Sequence, residues 1–186
     1  MSSDNSANSI FKITLNLTVA CLISGAIIAI TQYLTADEAV RKSAEIATKK
    51  MQKLLPGTDE FKAIPNHEKW FEAYKDGKLI AYIVPSETKG YGGVLKLITA
   101  VTPEGKVINF SIKETHETPG LGDKAELPSF RDQFKGKDLA NLKVTKNPAN
   151  KEEILAITGA TITSKAVTEC VKNAVEKLNA FFKEAK

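Results

Sequence analysis

The stretch KWFEAYKDGKLIAYIV, residues 69–84, decides the fold class that this sequence predicts. Two runs rich in aromatic and branched side chains flank Asp76-Gly77, and this dipeptide between such runs is a strong signal for a β-hairpin. A second pair of runs follows, GVLKLITAV and KVINFSIKE, and TPEG at residues 102–105 joins them. Four consecutive strands with short connections predict an antiparallel sheet with one covered face.

Helical patterns follow the predicted sheet. ETPGLG at residues 117–122 has the composition of a loop, and LPSFRDQF at residues 127–134 predicts a short helix that ends at Gly136. From Ser164 onward, apolar residues recur at threes and fours, which predicts an amphipathic C-terminal helix of about five turns. The predicted fold class is therefore α+β, with helices packed on an antiparallel sheet.

An uncharged segment of 22 residues, ITLNLTVACLISGAIIAITQYL, occupies residues 13–34. At about 1.5 Å per residue, a helix of this length spans the roughly 30 Å hydrocarbon core of a bilayer. The segment is longer than the apolar part of a typical signal peptide, and no A-x-A cleavage pattern precedes Asp37. A retained membrane anchor is therefore favoured over a cleaved signal peptide.

Four segments are predicted along the chain of 186 residues. Residues 1–12 form a short polar tail, of which residues 1–9 are expected to be disordered. Residues 13–34 form the transmembrane anchor. Residues 35–57 form a connecting helix, because apolar residues recur there at threes and fours until a Pro-Gly pair ends the pattern. Residues 58–186 form a single domain, which suits their number.

Charge, cysteine spacing and histidine context exclude several function classes. The formal net charge of +4 is spread along the chain and only Arg41 and Arg131 are arginines, so no nucleic-acid binding is predicted. Cys21 and Cys170 have no metal-ligand spacing and are expected to be packed, unpaired thiols. Neither histidine begins an HExxH motif, which argues against a zinc protease. No catalytic residue or metal ligand is predicted, and the scattered carboxylates are interpreted as solvated surface.

A hydroxyl-rich stretch, TGATITS at residues 158–164, lies where an apolar run meets the C-terminal helix. Gly159 allows a tight turn or a close approach of the backbone, and Thr163 or Ser164 can cap the helix. Thr161 is then expected in the turn just before the helix, where free N–H groups and the helix dipole favour an anion such as phosphate. Two interpretations stay open from the residues alone: a ligand with a phosphate near Thr161, or a Ser/Thr-rich cap without a ligand.

This stretch resembles the flavin-attachment motif of a family of FMN-binding domains, which occur in the G subunit of the Rnf complex and the C subunit of the sodium-pumping NADH:quinone reductase. In that family the threonine that ends an S/T-G-A-T motif carries FMN through a phosphoester bond. The resemblance also covers GYGG at residues 90–93, TPGLG at residues 118–122, QFKGK at residues 133–137, the anchor and the final helix. In the family the TPGLG loop lies against the flavin.

Carried onto this sequence, the resemblance implies that FMN is attached covalently to Thr161. Gly120 and Gly122 would let the backbone approach the flavin ring, and Leu121 would cover part of it. The family commonly has an acidic residue three positions before its motif, and this sequence has Leu155 there, which is expected to weaken recognition by the flavin transferase that installs FMN. The implied cofactor-binding residues are Glu117, Thr118, Gly120, Leu121, Gly122, Thr158, Gly159, Ala160, Ile162 and Thr163.

By the same resemblance, the chain is expected to be a membrane-anchored flavoprotein subunit of an Rnf-type ferredoxin:NAD oxidoreductase that couples electron relay to cation translocation. It would have no complete activity alone. Its implied partners are the other membrane and peripheral subunits, and a flavin transferase during maturation. Length favours this subunit over the quinone-reductase subunit, which is typically longer. Two further alternatives stay open: a tethered module that holds FMN without passing electrons, and a tethered structural domain without a cofactor.

The side of the membrane on which the domain lies is predicted differently by two arguments. The resemblance implies a short cytoplasmic tail and a flavin domain on the extracytoplasmic face. The positive-inside rule favours the opposite, because only Lys12 precedes the anchor, whereas several basic residues follow it: Arg41, Lys42, Lys49, Lys50 and Lys53. Long domains are translocated largely regardless of their charge, so we expect the extracytoplasmic location.

Overall fold

The structure is a computed structural model that describes residues 3–65 and 67–184. The chain divides into two compact units, Met1–Ala47 and Thr48–Lys186. The second unit contains the sheet, the later helices and every residue of the predicted flavin site.

The first helix, α1, spans Ser3–Leu54. The expected disorder of the N-terminal tail is therefore wrong from Ser3 onward, whereas residues 1–2 lie outside the described residues. The predicted anchor and the predicted connecting helix belong to this same helix. No glycine or proline lies between residues 26 and 55, and adding residues to an existing helix needs no new nucleus.

Within α1, the 25 residues Phe11–Thr35 are long and apolar enough to cross a membrane, by length and composition. Threonine hydroxyls in this part donate to carbonyl groups one turn earlier: Thr18 to Thr14 at 2.9 Å and Thr31 to Ile27 at 2.8 Å. Such bonds satisfy the hydroxyls inside the helix itself, as an apolar surrounding requires. The helix therefore fits the predicted membrane anchor.

Five strands form one antiparallel sheet in the order β1-β2-β3-β4-β5. The four predicted strands are confirmed, including the hairpin at Asp76-Gly77. The short first strand was not predicted, because its sequence EFKA has no alternating apolar pattern. This agrees with the structure, in which the strand is mostly exposed. Its bounds and those of the other four strands are β1 Glu60–Ala63, β2 Phe71–Lys75, β3 Lys78–Lys89, β4 Val94–Val101 and β5 Val107–Glu114.

Three short helical elements and two short strands follow the sheet, and the first of the helical elements is a 3₁₀ turn at Gly122–Glu126. The helix α2, Pro128–Arg131, continues as a 3₁₀ turn through Phe134, which confirms the predicted short helix. The strands β6, Val144–Thr145, and β7, Ile154–Leu155, pair in parallel. A strand of two residues cannot show a periodic pattern, so neither strand was predicted.

The last helix, α3, spans Thr161–Glu184 and begins before the predicted Ser164. Its buried face confirms the predicted amphipathic pattern and includes Val167, Val171, Val175 and Leu178. Cys170 lies on the same face as a free thiol, and its burial raises the pKa of the thiol.

Both faces of the sheet are covered, whereas the sequence predicted one covered face. The helix α3 packs against β3 and β4 on one side. On the other side, Ile83 and Ala100 are paired neighbours and fully buried, and the Asn109 side chain donates to the Leu54 carbonyl at 3.0 Å. The end of α1 thus contacts this second face at Asn109. The near-continuous apolar run LITAV in β4 was the sequence signal for burial on both faces.

Candidate functional site

The side chain of Ser164, a residue inside α3, holds the turn that precedes this helix. Gly159 has a φ of +82°, and the Ala160 N–H donates to the Ile157 carbonyl at 3.0 Å. The Ser164 hydroxyl donates to the Ala160 carbonyl and accepts the Ile157 N–H, both at 2.9 Å. The glycine therefore lets the chain turn directly into the helix at Thr161.

The predicted capping role of Thr163 and Ser164 is accordingly wrong, because both residues lie inside the first helical turn. A hydroxyl there bonds back to an earlier carbonyl or to another segment instead of capping. Thr161 is the first helical residue, not a residue of the preceding turn. It still lies at the helix N-terminus, where the first N–H groups have no partner within the helix.

The loop that contains TPGLG is a compact turn. The Thr118 carbonyl accepts the N–H groups of Leu121 at 3.2 Å and Gly122 at 2.9 Å. Gly120, which lies between Thr118 and Leu121, has a φ of +79°, which a residue with a Cβ adopts only with strain. The predicted loop is confirmed, and its own backbone fixes its conformation.

A cavity of about 520 Å³ brings this loop and the turn before α3 together, although some forty residues separate them in sequence. This volume lies within the range of small-molecule and cofactor sites, about 300–1,000 Å³. Of the predicted site residues, Gly120 and Thr158 do not line this cavity. Those that line it are Glu117, Thr118, Leu121, Gly122, Gly159, Ala160, Thr161, Ile162 and Thr163.

Apolar side chains surround the same cavity and are open to solvent. Among the described residues of the second unit, the exposed large apolar side chains are Tyr91, Val94, Leu121, Leu127 and Ile162. Three of these, Tyr91, Leu121 and Ile162, line the cavity. A planar apolar ring placed there would cover them, so the residues fit the flavin that the sequence predicted.

Tyr91 was missed as a site residue by the sequence reasoning. It stands between the glycines of GYGG, a stretch that drew attention only through its resemblance to the family. The turn itself is closed by a hydrogen bond from the Gly90 N–H to the Gly93 carbonyl at 2.7 Å. A tyrosine flanked by glycines was the sequence signal that could have identified it.

A second cavity, of about 410 Å³, is lined by residues 155–159 before α3 and shares Gly159 and Thr161 with the first. Thr158 lines this second cavity, as does the side of β7 that carries Leu155. Lys146 adds a positive charge there and was not predicted. Nothing in the sequence distinguishes this lysine from its many neighbours.

Glu117 is bound on both carboxylate oxygens, which contradicts the interpretation of the carboxylates as solvated surface at this position. One oxygen accepts the Tyr91 N–H at 2.8 Å and the Gly92 N–H at 3.4 Å. The other accepts the Thr163 hydroxyl at 2.5 Å. Glu117 therefore connects three segments that are far apart in the sequence.

Gly122 was predicted to let the backbone approach the flavin ring, but the structure gives another reason for a glycine at this position. A Cβ at Gly122 would lie 2.2 Å from the Cβ of Glu117, so the space beside it is filled by that side chain. A Cβ at Gly120 would meet nothing within 4 Å. Of the two glycines, only Gly120 has open space beside it.

The QFKGK stretch supports the backbone that leads into the site. The Gln133 side chain accepts the Leu155 N–H at 2.7 Å and donates to the Leu155 carbonyl at 3.5 Å. The Lys137 ammonium donates to the carbonyls of Lys151 and Glu152, each at 2.7 Å. These residues fix β7 and the segment before it, and through them the position of the TGAT turn.

Comparisons with known proteins found a family and individual relatives. Residues 90–176 match the FMN-binding domain family. The G subunit of the proton-translocating ferredoxin:NAD(+) oxidoreductase complex of Clostridium ljungdahlii is 50% identical over 97% of this chain and 98% of that protein. The Na(+)-translocating counterpart of Acetobacterium woodii is 32% identical over 90% of each chain. A solved structure, the C subunit of the Na(+)-translocating NADH-quinone reductase of Parabacteroides distasonis, is 30% identical over 57% of this chain and 58% of that one, with a TM-score of 0.49.

The matched region 90–176 contains both the loop and the turn that form the larger cavity. The Clostridium ljungdahlii relative matches this sequence over almost the whole of both chains. The chain therefore belongs to the family of G subunits of ion-translocating ferredoxin:NAD(+) oxidoreductase complexes.

Proposed function

We propose that this protein is a membrane-anchored flavoprotein subunit that carries FMN covalently on Thr161 and relays electrons within an Rnf-type complex coupled to cation translocation. The proposal rests on the larger cavity, which is lined by the TPGLG loop, the TGAT turn and the start of α3. The names of the Clostridium ljungdahlii and Acetobacterium woodii relatives, both subunits of translocating ferredoxin:NAD(+) oxidoreductase complexes, support the electron-relay role.

The residues around the cavity are suited to hold each part of FMN. The Thr161 hydroxyl would bear the phosphoester, next to the N-terminal N–H groups of α3 that favour an anion. Tyr91, Leu121 and Ile162 would cover the apolar ring, and the backbone at Thr118 and Gly122, which lines the cavity, would face its polar edge. When bound, FMN supplies the reversible electron transfer, whereas the protein binds, orients and tunes it.

The first test is in-gel flavin fluorescence. The full chain is produced together with a flavin transferase, denatured and separated by electrophoresis. Because a phosphoester survives denaturation, we expect a fluorescent band at the protein's 20.2 kDa. A parallel sample of Leu155→Asp restores the acidic residue that the family commonly has. If neither chain fluoresces, covalent attachment is wrong; if only Leu155→Asp does, Leu155 limits recognition by the transferase.

A redox titration then separates the electron-relay role from simple binding. The purified flavin-loaded protein is reduced chemically and reoxidised while its flavin absorbance is recorded. We expect full and reversible reduction in the folded state. A flavin that stays oxidised would favour the alternative of a module that holds FMN without passing electrons.

We also propose that the flavin domain lies on the extracytoplasmic face, and that a flavin transferase on that side completes it. A covalent bond suits a compartment in which lost FMN could not easily be replaced. In intact, right-side-out cells or spheroplasts, added protease should digest the part of the chain after the anchor. Protection of this part until the membrane is permeabilised would place it in the cytoplasm, as the count of basic residues predicts.

A further inference from the structure

We propose that Glu117 is the positioning residue of the flavin site: its carboxylate holds the TPGLG loop, the GYGG turn and the first turn of α3 in a single arrangement. This inference rests on the proposed function, since the arrangement matters for how Thr161 is presented and how the flavin ring is held. Glu117 affects the flavin indirectly, through its hydrogen bond with Thr163 and through the position of the TPGLG loop that follows it.

The hydrogen bonds of Glu117 leave little of its carboxylate for a ligand. An ionised carboxylate only accepts hydrogen bonds, and those that it accepts are stronger than bonds between neutral groups. Glu117 accepts from Tyr91 and Gly92 with one oxygen and from Thr163 with the other. The donors lie 26, 25 and 46 residues away along the chain. A solvated glutamate makes no such set of bonds.

The packing around Glu117 supports the same role. A Cβ at Gly90 would lie 2.1 Å from the Glu117 Oε1 atom, and a Cβ at Gly122 would lie 2.2 Å from the Glu117 Cβ atom. Both glycines are buried. The Glu117 side chain therefore fills a slot between two segments that have no side chains at the points of contact. A Cβ at either glycine would therefore displace the Glu117 side chain.

The test compares Glu117→Gln with a matched control elsewhere in the domain. The amide keeps the size of the side chain and can still accept the Tyr91 N–H. With its oxygen used in this way, the amide presents its nitrogen to Thr163. An amide nitrogen cannot accept a hydrogen bond, so the bond that the Thr163 hydroxyl donates is lost. Asp59→Asn is the control, because the Asp59 carboxylate also accepts a backbone N–H, that of Asp76 at 2.7 Å, and does not line the cavity.

We expect Glu117→Gln to slow covalent flavin loading by a transferase about tenfold and to shift the flavin absorbance of the fraction that is loaded. Asp59→Asn should load at the rate of the wild type. Thr163→Val should act in the same direction as Glu117→Gln, and Thr163→Ser, which keeps the hydroxyl, should lose less than Thr163→Val. A folded Glu117→Gln protein with the loading rate and spectrum of the wild type would overturn the proposal.

A measurement without flavin keeps this test independent of the proposed function. Hydrogen–deuterium exchange of the flavin-free full chain should become faster at Tyr91 and at the start of α3 in Glu117→Gln, and stay unchanged there in Asp59→Asn. If neither the wild type nor Leu155→Asp takes up flavin but this exchange pattern appears, covalent attachment fails while the positioning role stands. If Glu117→Gln does not fold, Thr163→Val provides the same measurement with one bond removed. Unchanged exchange at both places would refute the positioning role.

Discussion

We expect Thr161→Ala to remove the covalent flavin completely while the domain stays folded. Three threonines of the TGATITS stretch are candidates for the phosphoester, and their surroundings differ. Thr163 is only 3% exposed, and its hydroxyl already donates to Glu117. Thr158 lines only the smaller cavity, whereas Thr161 lines both cavities and begins α3. Thr161 thus combines the first helical position with a half-buried side chain at the larger cavity, whereas Thr163 lies in the same turn but is buried.

The measurement is in-gel fluorescence of Thr161→Ala, Thr161→Ser and Thr158→Ala beside the wild type. Thr161→Ser keeps a hydroxyl and should retain part of the covalent flavin, and Thr158→Ala should still carry it at a lower yield. Loss of a half-buried hydroxyl at a helix start should cost less than about 1 kcal/mol of unfolding free energy, so a melting temperature within about 4 °C of the wild type is the control for folding. Fluorescence that persists in Thr161→Ala, or disappears only in Thr158→Ala, would move the attachment to another residue.

The strand and helix patterns could be predicted because they depend on near neighbours in the sequence. The hairpin follows from Asp76-Gly77 between two β-rich runs, and α3 follows from its apolar period. The loop and the TGAT turn were found in the same way, because glycine and hydroxyl residues mark turns locally. Their meeting in one cavity came from the family resemblance, since no local pattern relates residues forty positions apart.

The parts that were missed depend on contacts between distant segments. Nothing near Glu117 in the sequence indicates that its carboxylate meets Tyr91 and Thr163. The start of α3 was predicted too late, because the Ser164 hydroxyl can either cap a helix or bond to an earlier carbonyl within its first turn. The backbone conformation at Gly159, which the sequence does not give, decides between these two roles. The two-residue strands were missed because they are too short to show a periodic pattern, and the contact that holds β7 comes from Gln133, 22 residues away.

Gly92→Ala should destabilise the domain strongly. The expected cause is lack of space for the new Cβ, and not a strained backbone conformation. A Cβ at Gly92 would lie 1.8 Å from the His116 carbonyl oxygen and 2.7 Å from its carbon. Both are backbone atoms at the start of the loop that Glu117 anchors, so they cannot turn aside as a flexible side chain would. Overpacking of this kind costs about 3 kcal/mol. For a domain of this size, that lowers the melting temperature by about 10 °C.

Gly120→Ala is the matched variant, because it tests the other reason for a glycine. Its Cβ would meet nothing within 4 Å, but its φ of +79° strains any residue with a side chain, at a cost of about 1 kcal/mol. Thermal unfolding of both variants, with and without flavin, measures the difference. Gly92→Ala should also load flavin poorly, since moving His116 displaces Glu117 next to it. If Gly92→Ala melts within about 3 °C of the wild type, or if Gly120→Ala is the less stable of the two, the close approach of GYGG to His116 does not hold the site together.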